Sequence, residues 1–430
     1  MKKIILALLI FSINHLLAQS YDTIQKHSML LTNATIHIGN GTVYENGVIA
    51  FEKGKITLVG DATTMRYDAT KYSEIINCAG KHIYPGLIAL NSQLGLIEIE
   101  QARSTRDTYE TGEINPSVRS IISYNTDSKV IPTIRTNGIL IAQIIPSGGL
   151  ISGSSSVVEL DAWNWEDAAY KSDNGMQITW PGYYTYSFEN GYFQIIPNKN
   201  YTAEIQKLET FFDEARAYCN AKNHANTNLK FEAMRNVFEK QSTLFIQANT
   251  AKEIIAAVQF AEKNTVSYVI VGASQAGKIL DFLQEHHVKI ILENLHSLPG
   301  LDDADIKTFY KLPAQLQQAG VEYALSYSFS HWNMRNLPFL AGTAAAYGIS
   351  KEQALESITL SAAKMLGIEN TLGSLESGKD ATLLICEGDL LDMKSSVVER
   401  AFIRGREIEI NNWQYENYEK FSKKYGLEIK

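Results

Sequence analysis

Of nine histidines, only His296 and His331 follow the ends of apolar, strand-like runs, and Glu293 closes the run that precedes His296. Two imidazoles and a carboxylate are enough to hold a catalytic divalent cation with open positions. The other reading of His296, in NLHSLPG, is a side chain that only steadies its loop. A second source of chemistry is LIEIEQARSTRDTYETGEINP, with Glu98, Glu100, Asp107, Glu110 and Glu113 interleaved with Arg103 and Arg106. A pair of these carboxyls suits metal-free general acid and base work. A mixed-charge loop that is solvated and pairs with itself accounts for the same residues. Arg135 suits either an anionic substrate group or a structural ion pair. Gly148, Gly149 and Gly153, in GGLISGSSS, offer backbone N–H groups to an anion or serve as a hinge. No Gly-x-Ser-x-Gly elbow is present, so serine-hydrolase chemistry has no nucleophile to use.

The elements that must position these groups follow from two rhythms. From Met29, LLTNATIHIGNGTVYENGVIAFEKGKITLVG alternates apolar and polar residues between Gly-containing turns, the pattern of short antiparallel strands. DATLLICEGD and ERAFIRGREIEI repeat it near the C-terminus. Between them, apolar runs such as STLFIQA, SYVIVGA and VKIILEN alternate with helical segments such as AKEIIAAVQFAEKN. Runs buried on both faces and alternating with helices predict a parallel sheet. The expected fold is α/β: a (β/α)8 TIM barrel plus a small composite β-sandwich domain formed by both chain ends. Residues 19–84 and 372–410 make the composite domain, 85–371 the barrel with an insertion near 148–201, and 411–430 a C-terminal tail. The insertion is aromatic from Trp163 to Phe193, which predicts either a satellite core or a docking surface. In such barrels the chemistry sits at the C-terminal ends of the strands.

Three segments carry a family resemblance: TNATIHIGNGTVYENGVIAFEKGKITLVG, GKHIYPGLIAL and ITLSAAKMLGIENTLGSLESGKDATLLICEGD, with RNLPFLAGTAAAYGIS in support. Together they resemble the amidohydrolase superfamily, most nearly secreted proteins related to imidazolonepropionase. The resemblance implies hydrolysis of C–N bonds other than peptide bonds by a metal-activated water. It also implies His-x-His at the first strand end, histidines at the fifth and sixth, and an aspartate at the eighth. Those positions fall here on Asn91 and Gln93, on Gln247, on Gly272 or Ala273, and on Ser328. Neutral carboxamides and a hydroxyl are poor ligands for zinc and similar ions. The expectation is therefore a lost metal centre and no cofactor, with a divalent metal only if Glu293, His296 and His331 form a rearranged site. Asn91, Gln93, Gln247 and Ser328 would then line a polar pocket able to take a small molecule or peptide. The remaining alternatives are an active hydrolase of cyclic amide or similar C–N bonds, and an interaction protein acting through the aromatic stretch.

MKKIILALLIFSINHLLAQS has the lysines, short apolar run and small residue before a cut at Ala18 that mark a signal peptide. The run is shorter than the roughly 20 apolar residues of a membrane span. Residues 1–18 are therefore expected to be removed, leaving a periplasmic or extracellular protein with no membrane attachment. Three widely spaced cysteines form no disulfide framework. A net charge of −8 without basic clusters excludes nucleic acid as a partner class. What remains is a small-molecule or peptide ligand, an intact amidohydrolase relative, or assembly into a homo-oligomer or hetero-oligomer.

Overall fold

The alternating N-terminal segment forms three antiparallel strands, β1 (Met29–His37), β2 (Val43–Glu52) and β3 (Lys55–Asp61). In this computed structural model the described residues are 25–428, except 190, 222, 294, 299–304 and 328–330. Residues 1–18, expected to be a signal peptide, and Ser328 lie outside them. Strands β4 (Glu74–Asn77) and β5 (His82–Pro85) run parallel to the two halves of β1. The C-terminal β16 (Leu383–Cys386) joins antiparallel to β5 and is followed by β17 (Val398–Ile403) and β18 (Arg406–Ile408). Both chain ends thus share one sheet. Ile36, Ile49, Ile83 and Leu383 are fully buried beneath it, and Phe51 meets Phe402 edge-on at 5.3 Å. Full burial of each such side chain stabilises the domain by roughly 1.5–3 kcal/mol.

The second sheet is an eight-stranded, nearly closed barrel of β6 (Leu87–Ser92), β7 (Ile139–Ile144), β8 (Ile151–Glu159), β9 (Ala169–Thr179), β12 (Thr243–Ala248), β13 (Tyr268–Gly272), β14 (Ile290–Glu293) and β15 (Tyr323–Ser326), in that spatial order. Helices follow the later strands as the periodicity predicts. Ala251–Lys263 opens on a capping box between Thr250 and Glu253, and Thr308–Gln318 links β14 to β15. Between β15 and β6 the described residues show no ladder, and the Ser326 hydroxyl spans the gap by donating to Leu90 O at 2.5 Å.

The stretch 148–201, expected as an insertion, instead supplies two barrel strands. β8 is antiparallel to both β7 and β9, so these three need no crossover helix, and only a single helical turn, Trp165–Ala168, precedes β9. Its sequence ISGSSSVVE hides the strand because the serines are polar yet every residue is buried. The glycines here answer to packing. A side chain at Gly153, held at φ +130°, would press within 2.4 Å of Val118 O, and one at Gly149 within 2.6 Å of Glu113 O. The remainder of the stretch forms a separate two-stranded sheet of β10 (Tyr184–Glu189) and β11 (Tyr192–Pro197). The expected tail holds a helix, Trp413–Tyr425, capped by the Asn412 side chain and hydrogen-bonded through Gln414 to Thr133. No helix among the described residues is long and apolar enough to cross a membrane.

Arg135 takes the structural role. It pairs with Asp161, which also accepts from Arg406 at 2.6 Å, tying the helix before β7 and the loop after β8 to the composite domain. All three side chains are only 12–15% exposed. Removing the carboxylate leaves two largely buried guanidinium groups without it, which costs about 2–4 kcal/mol. Asp161→Ala is therefore expected to lower the urea midpoint substantially, whereas Glu209→Ala, at the exposed pair with Lys263, leaves it nearly unchanged.

Candidate functional site

At the C-terminal end of the barrel, three strands bring their last inward-facing residues together. Glu293 ends β14, Asn91 lies near the end of β6, and Gln247 near the end of β12. Asn91 Nδ2 donates to Glu293 Oε1 at 2.6 Å and Gln247 Nε2 donates to Glu293 Oε2 at 3.2 Å. The network continues sideways. Asn91 N donates to Gln143 Oε1 at 3.1 Å, Gln143 Nε2 donates to Ser155 Oγ at 3.1 Å, and Ser155 Oγ donates to Gly175 O at 3.2 Å. Asn91 is held at φ +49°, a conformation that asparagine tolerates better than most residues, and it keeps its backbone N–H on Gln143.

Glu293 is 5% exposed, and among the described residues no cation offsets its charge. Burial pushes its carboxyl up to about 7, against the opposing hydrogen bonds from Asn91 and Gln247. A carboxyl poised there is half protonated near neutrality.

The sixth strand end is filled by its neighbours. Gly272 sits at φ +91°, and a side chain there would come within 2.6 Å of both Asn249 Oδ1 and Gln247 Nε2. Ala273 has φ +49°. An imidazole has no room at this place until those two amides move.

The other candidates are placed apart from this centre. His296 is exposed, with Nδ1 against the Tyr327 hydroxyl at 2.6 Å and Nε2 against Thr343 Oγ1 at 2.8 Å, so both ring nitrogens serve the loop. Burial pushes its pKa down. The His331 side chain is fully buried, and among the described residues neither ring nitrogen has a hydrogen-bond partner; Glu100 Oε1 stands 3.7 Å from its Nδ1. Burial pushes His331 down, with Glu100 and Glu98 opposing. Gln93 is buried beside Asn91, and its backbone oxygen accepts from Leu96 N. Within the acidic loop, Glu98 accepts from Asn125 Nδ2 and Lys129 N, and Glu113 pairs with Lys207. Among the described residues, no group of three or more His, Cys, Asp or Glu side chains could hold a metal ion.

Residues to which sequence reasoning gave no role are Gln143 and Ser155, which orient Asn91, and Asn249, whose side chain lies with that of Gln247 over Gly272. The signal available for Gln143 was a lone carboxamide inside the apolar run ILIAQI, at a position buried on both sides of the sheet.

The family profile described as amidohydrolase family matches residues 195–408. The crystal structure of an amidohydrolase from Thermotoga maritima MSB8 superposes with a TM-score of 0.76 at 25% identity, covering 89% of this chain and 99% of that one. This chain belongs to the amidohydrolase superfamily. A Xaa-Pro dipeptidase with bound methionine in its active site shares the fold at 14% identity and a TM-score of 0.56, covering 89% of this chain and all of that one. Ochratoxinase from A. niger does so at 11% and 0.54, covering 90% and 96%. No curated protein matches the chain at a significant level.

Members of this superfamily commonly use a divalent metal, and the residues at this chain's strand ends do not fit one. The central carboxylate is already engaged on both oxygens, and the two groups that reach it do so through N–H, the end of a carboxamide that no cation binds. The carboxyl's raised pKa makes the disagreement measurable. Glu293 holds its proton more tightly folded than unfolded, so its stabilising contribution is complete below about pH 4.5 and is lost as pH rises through about 7. Glu293→Gln keeps the shape without the charge. Its amide offers one acceptor where the carboxylate offers two, a cost that does not vary with pH, so its stability relative to wild type is expected to rise by about 2–3 kcal/mol between pH 5 and pH 8, read from urea midpoints at the two pH values.

Proposed function

We propose that this amidohydrolase-superfamily member is an exported protein that has given up the metal-dependent hydrolysis of C–N bonds and binds a small molecule or peptide at the barrel mouth. One observation carries the reading: the catalytic end of the barrel holds a buried glutamic acid clasped by two carboxamide N–H groups, not a set of imidazoles around a cation. Water needs a cation or a free base beside it to become hydroxide at neutral pH. Each oxygen of Glu293 already accepts a hydrogen bond, and the strand-end positions expected to hold imidazoles carry Asn91, Gln247 and Gly272. The polar groups nearby suit recognition of a ligand's amide or carboxylate. The N-terminal leader supports export, and its apolar run and small-residue cut site are the features that favour this destination.

A second reading rests on the position of Glu293 on the pH scale. A carboxyl near pH 7 is matched to general acid–base work. On this reading the protein cleaves cyclic amides or related C–N bonds without metal, with Glu293 passing a proton between nucleophile and leaving nitrogen.

One set of measurements separates the two. Purified protein is expected to contain less than stoichiometric zinc, manganese or iron, to melt at the same temperature with and without chelator, and to show no turnover of cyclic amides, dipeptides or lactones. Metal-independent turnover that follows an ionisation near pH 7 and disappears in Glu293→Gln supports the second reading instead. Stoichiometric metal whose removal abolishes turnover overturns both.

A further inference from the structure

His37 ends β1 and His82 opens β5, neighbouring strands of the composite domain, so their rings stand side by side. They share one hydrogen bond, between His37 Nε2 and His82 Nδ1 at 3.0 Å. The other nitrogen of His37, Nδ1, meets Glu352 Oε1 at 2.7 Å, and Glu352 belongs to the barrel-side helix Lys351–Ser357. A line of three side chains therefore joins the small domain to the barrel.

A carboxylate only accepts, so His37 Nδ1 carries hydrogen. In the neutral ring Nε2 is then a bare lone pair, and His82 Nδ1 supplies the hydrogen between the rings. His82 can take a further proton on its Nε2 without disturbing the line. A second extra proton has no such place, because it sets His37 Nε2–H against His82 Nδ1–H. His37 is not free to turn away, since its ring stacks on Tyr84 at 4.4 Å and Glu352 holds its far side.

The charged groups around the pair are Glu352 and Lys351 from the helix, Asp389 from the loop between β16 and β17, and Glu45 from β2. Lys351 pairs with Asp389, which also accepts from Leu391 N at 2.9 Å. The Tyr84 hydroxyl accepts from Leu390 N at 3.4 Å, and Cys386, opposite His82 in β16, is a buried thiol whose pKa burial pushes up. Burial, and after it the neighbouring His37, push His82 below the ordinary imidazole value, against the pull of Asp389, Glu45 and Glu352.

We propose that the Glu352–His37–His82 line is a pH-sensitive joint between the composite domain and the barrel. It holds while the two rings together carry at most one extra proton, and acid opens it by forcing in a second. The bond that breaks is the one between the rings, and a cavity of about 250 Å³ beside them gives His82 room to move. The unfolded chain takes up both protons near pH 6.5 and the folded chain one fewer. The joint's contribution to stability is therefore complete above about pH 6.5 and is lost as pH falls.

Urea unfolding of the purified chain at pH 7.5, 6 and 5 tests this, beside His82→Asn and His37→Gln. Each replacement puts a carboxamide at the shared bond, which gives or receives a hydrogen as its partner requires. Between pH 6 and pH 5 the wild-type folding constant is expected to fall about tenfold further than that of either variant, the effect of one proton per pH unit. Parallel profiles for all three overturn the proposal. So does a profile in His37→Gln as steep as the wild type's, which places the cause in the burial of His82 alone. Where a variant does not fold, the nitrogen-15 shifts of the wild-type imidazoles decide. Both rings are expected as Nδ1–H tautomers at pH 7.5, and the folded pair at pH 5 is expected to keep one ring nitrogen bare. A folded chain at pH 5 with all four nitrogens of the pair protonated overturns the joint.

Discussion

A buried carboxyl group with no cation beside it has two ways to survive, to keep its proton or to gather N–H donors, and Glu293 does both. That constraint organises the whole catalytic end of the barrel. Asn91 and Gln247 reach it from β6 and β12, across the barrel interior from one another's strands. Gln143 and Ser155 then hold Asn91 in its left-handed conformation from β7 and β8. The polarity is the reverse of a metal centre. A catalytic cation gathers lone pairs from imidazole and carboxylate; here an acid gathers hydrogens. Converting one arrangement into the other takes more than restoring a single histidine, because Gly272 is closely covered by Gln247 and Asn249.

Much of the fold was legible in the sequence, and the reasons are physical. β6, β12, β13 and β14 are continuous apolar runs because both faces of a parallel strand are buried, and GKHIYPGLIAL leads from β5 straight into β6. β8 was not legible. Its serines read as a loop, yet Ser154 finds Asp173 and Ser155 finds Gly175, so burial is tolerated through hydrogen bonds that composition does not show. The site was half legible. Asn91, Gln247 and Glu293 could each be picked out by place or type, but their convergence depends on how β6, β12 and β14 curve toward one axis. His296 and Glu293 lie three residues apart, yet one serves a surface loop and the other the barrel interior. Sequence spacing alone could not divide them, because β14 ends between them.

The aromatic stretch was read as either satellite core or docking surface, and its residues differ in burial. Trp180 is buried and packs against Phe260 at 5.4 Å, while the residues beyond Tyr183 turn outward. The dividing line falls where the chain leaves β9, because Trp180 N still donates to Gln247 O at 3.0 Å, extending the β9–β12 ladder by one step.

That last hydrogen bond joins the barrel centre to the chain that leads into the β10–β11 hairpin. Gln247 holds Glu293 with its side chain and Trp180 with its backbone carbonyl. Glu253, in the first turn of the helix that follows β12, caps its own helix through Thr250 and holds Tyr183 at the hairpin base. The base of the hairpin and the hydrogen bonding of the buried acid thus meet at one strand end, that of β12. The Gln247 carboxamide there is one of the two groups that lower the carboxyl's pKa, so without its hydrogen bond the acid would hold its proton still more tightly.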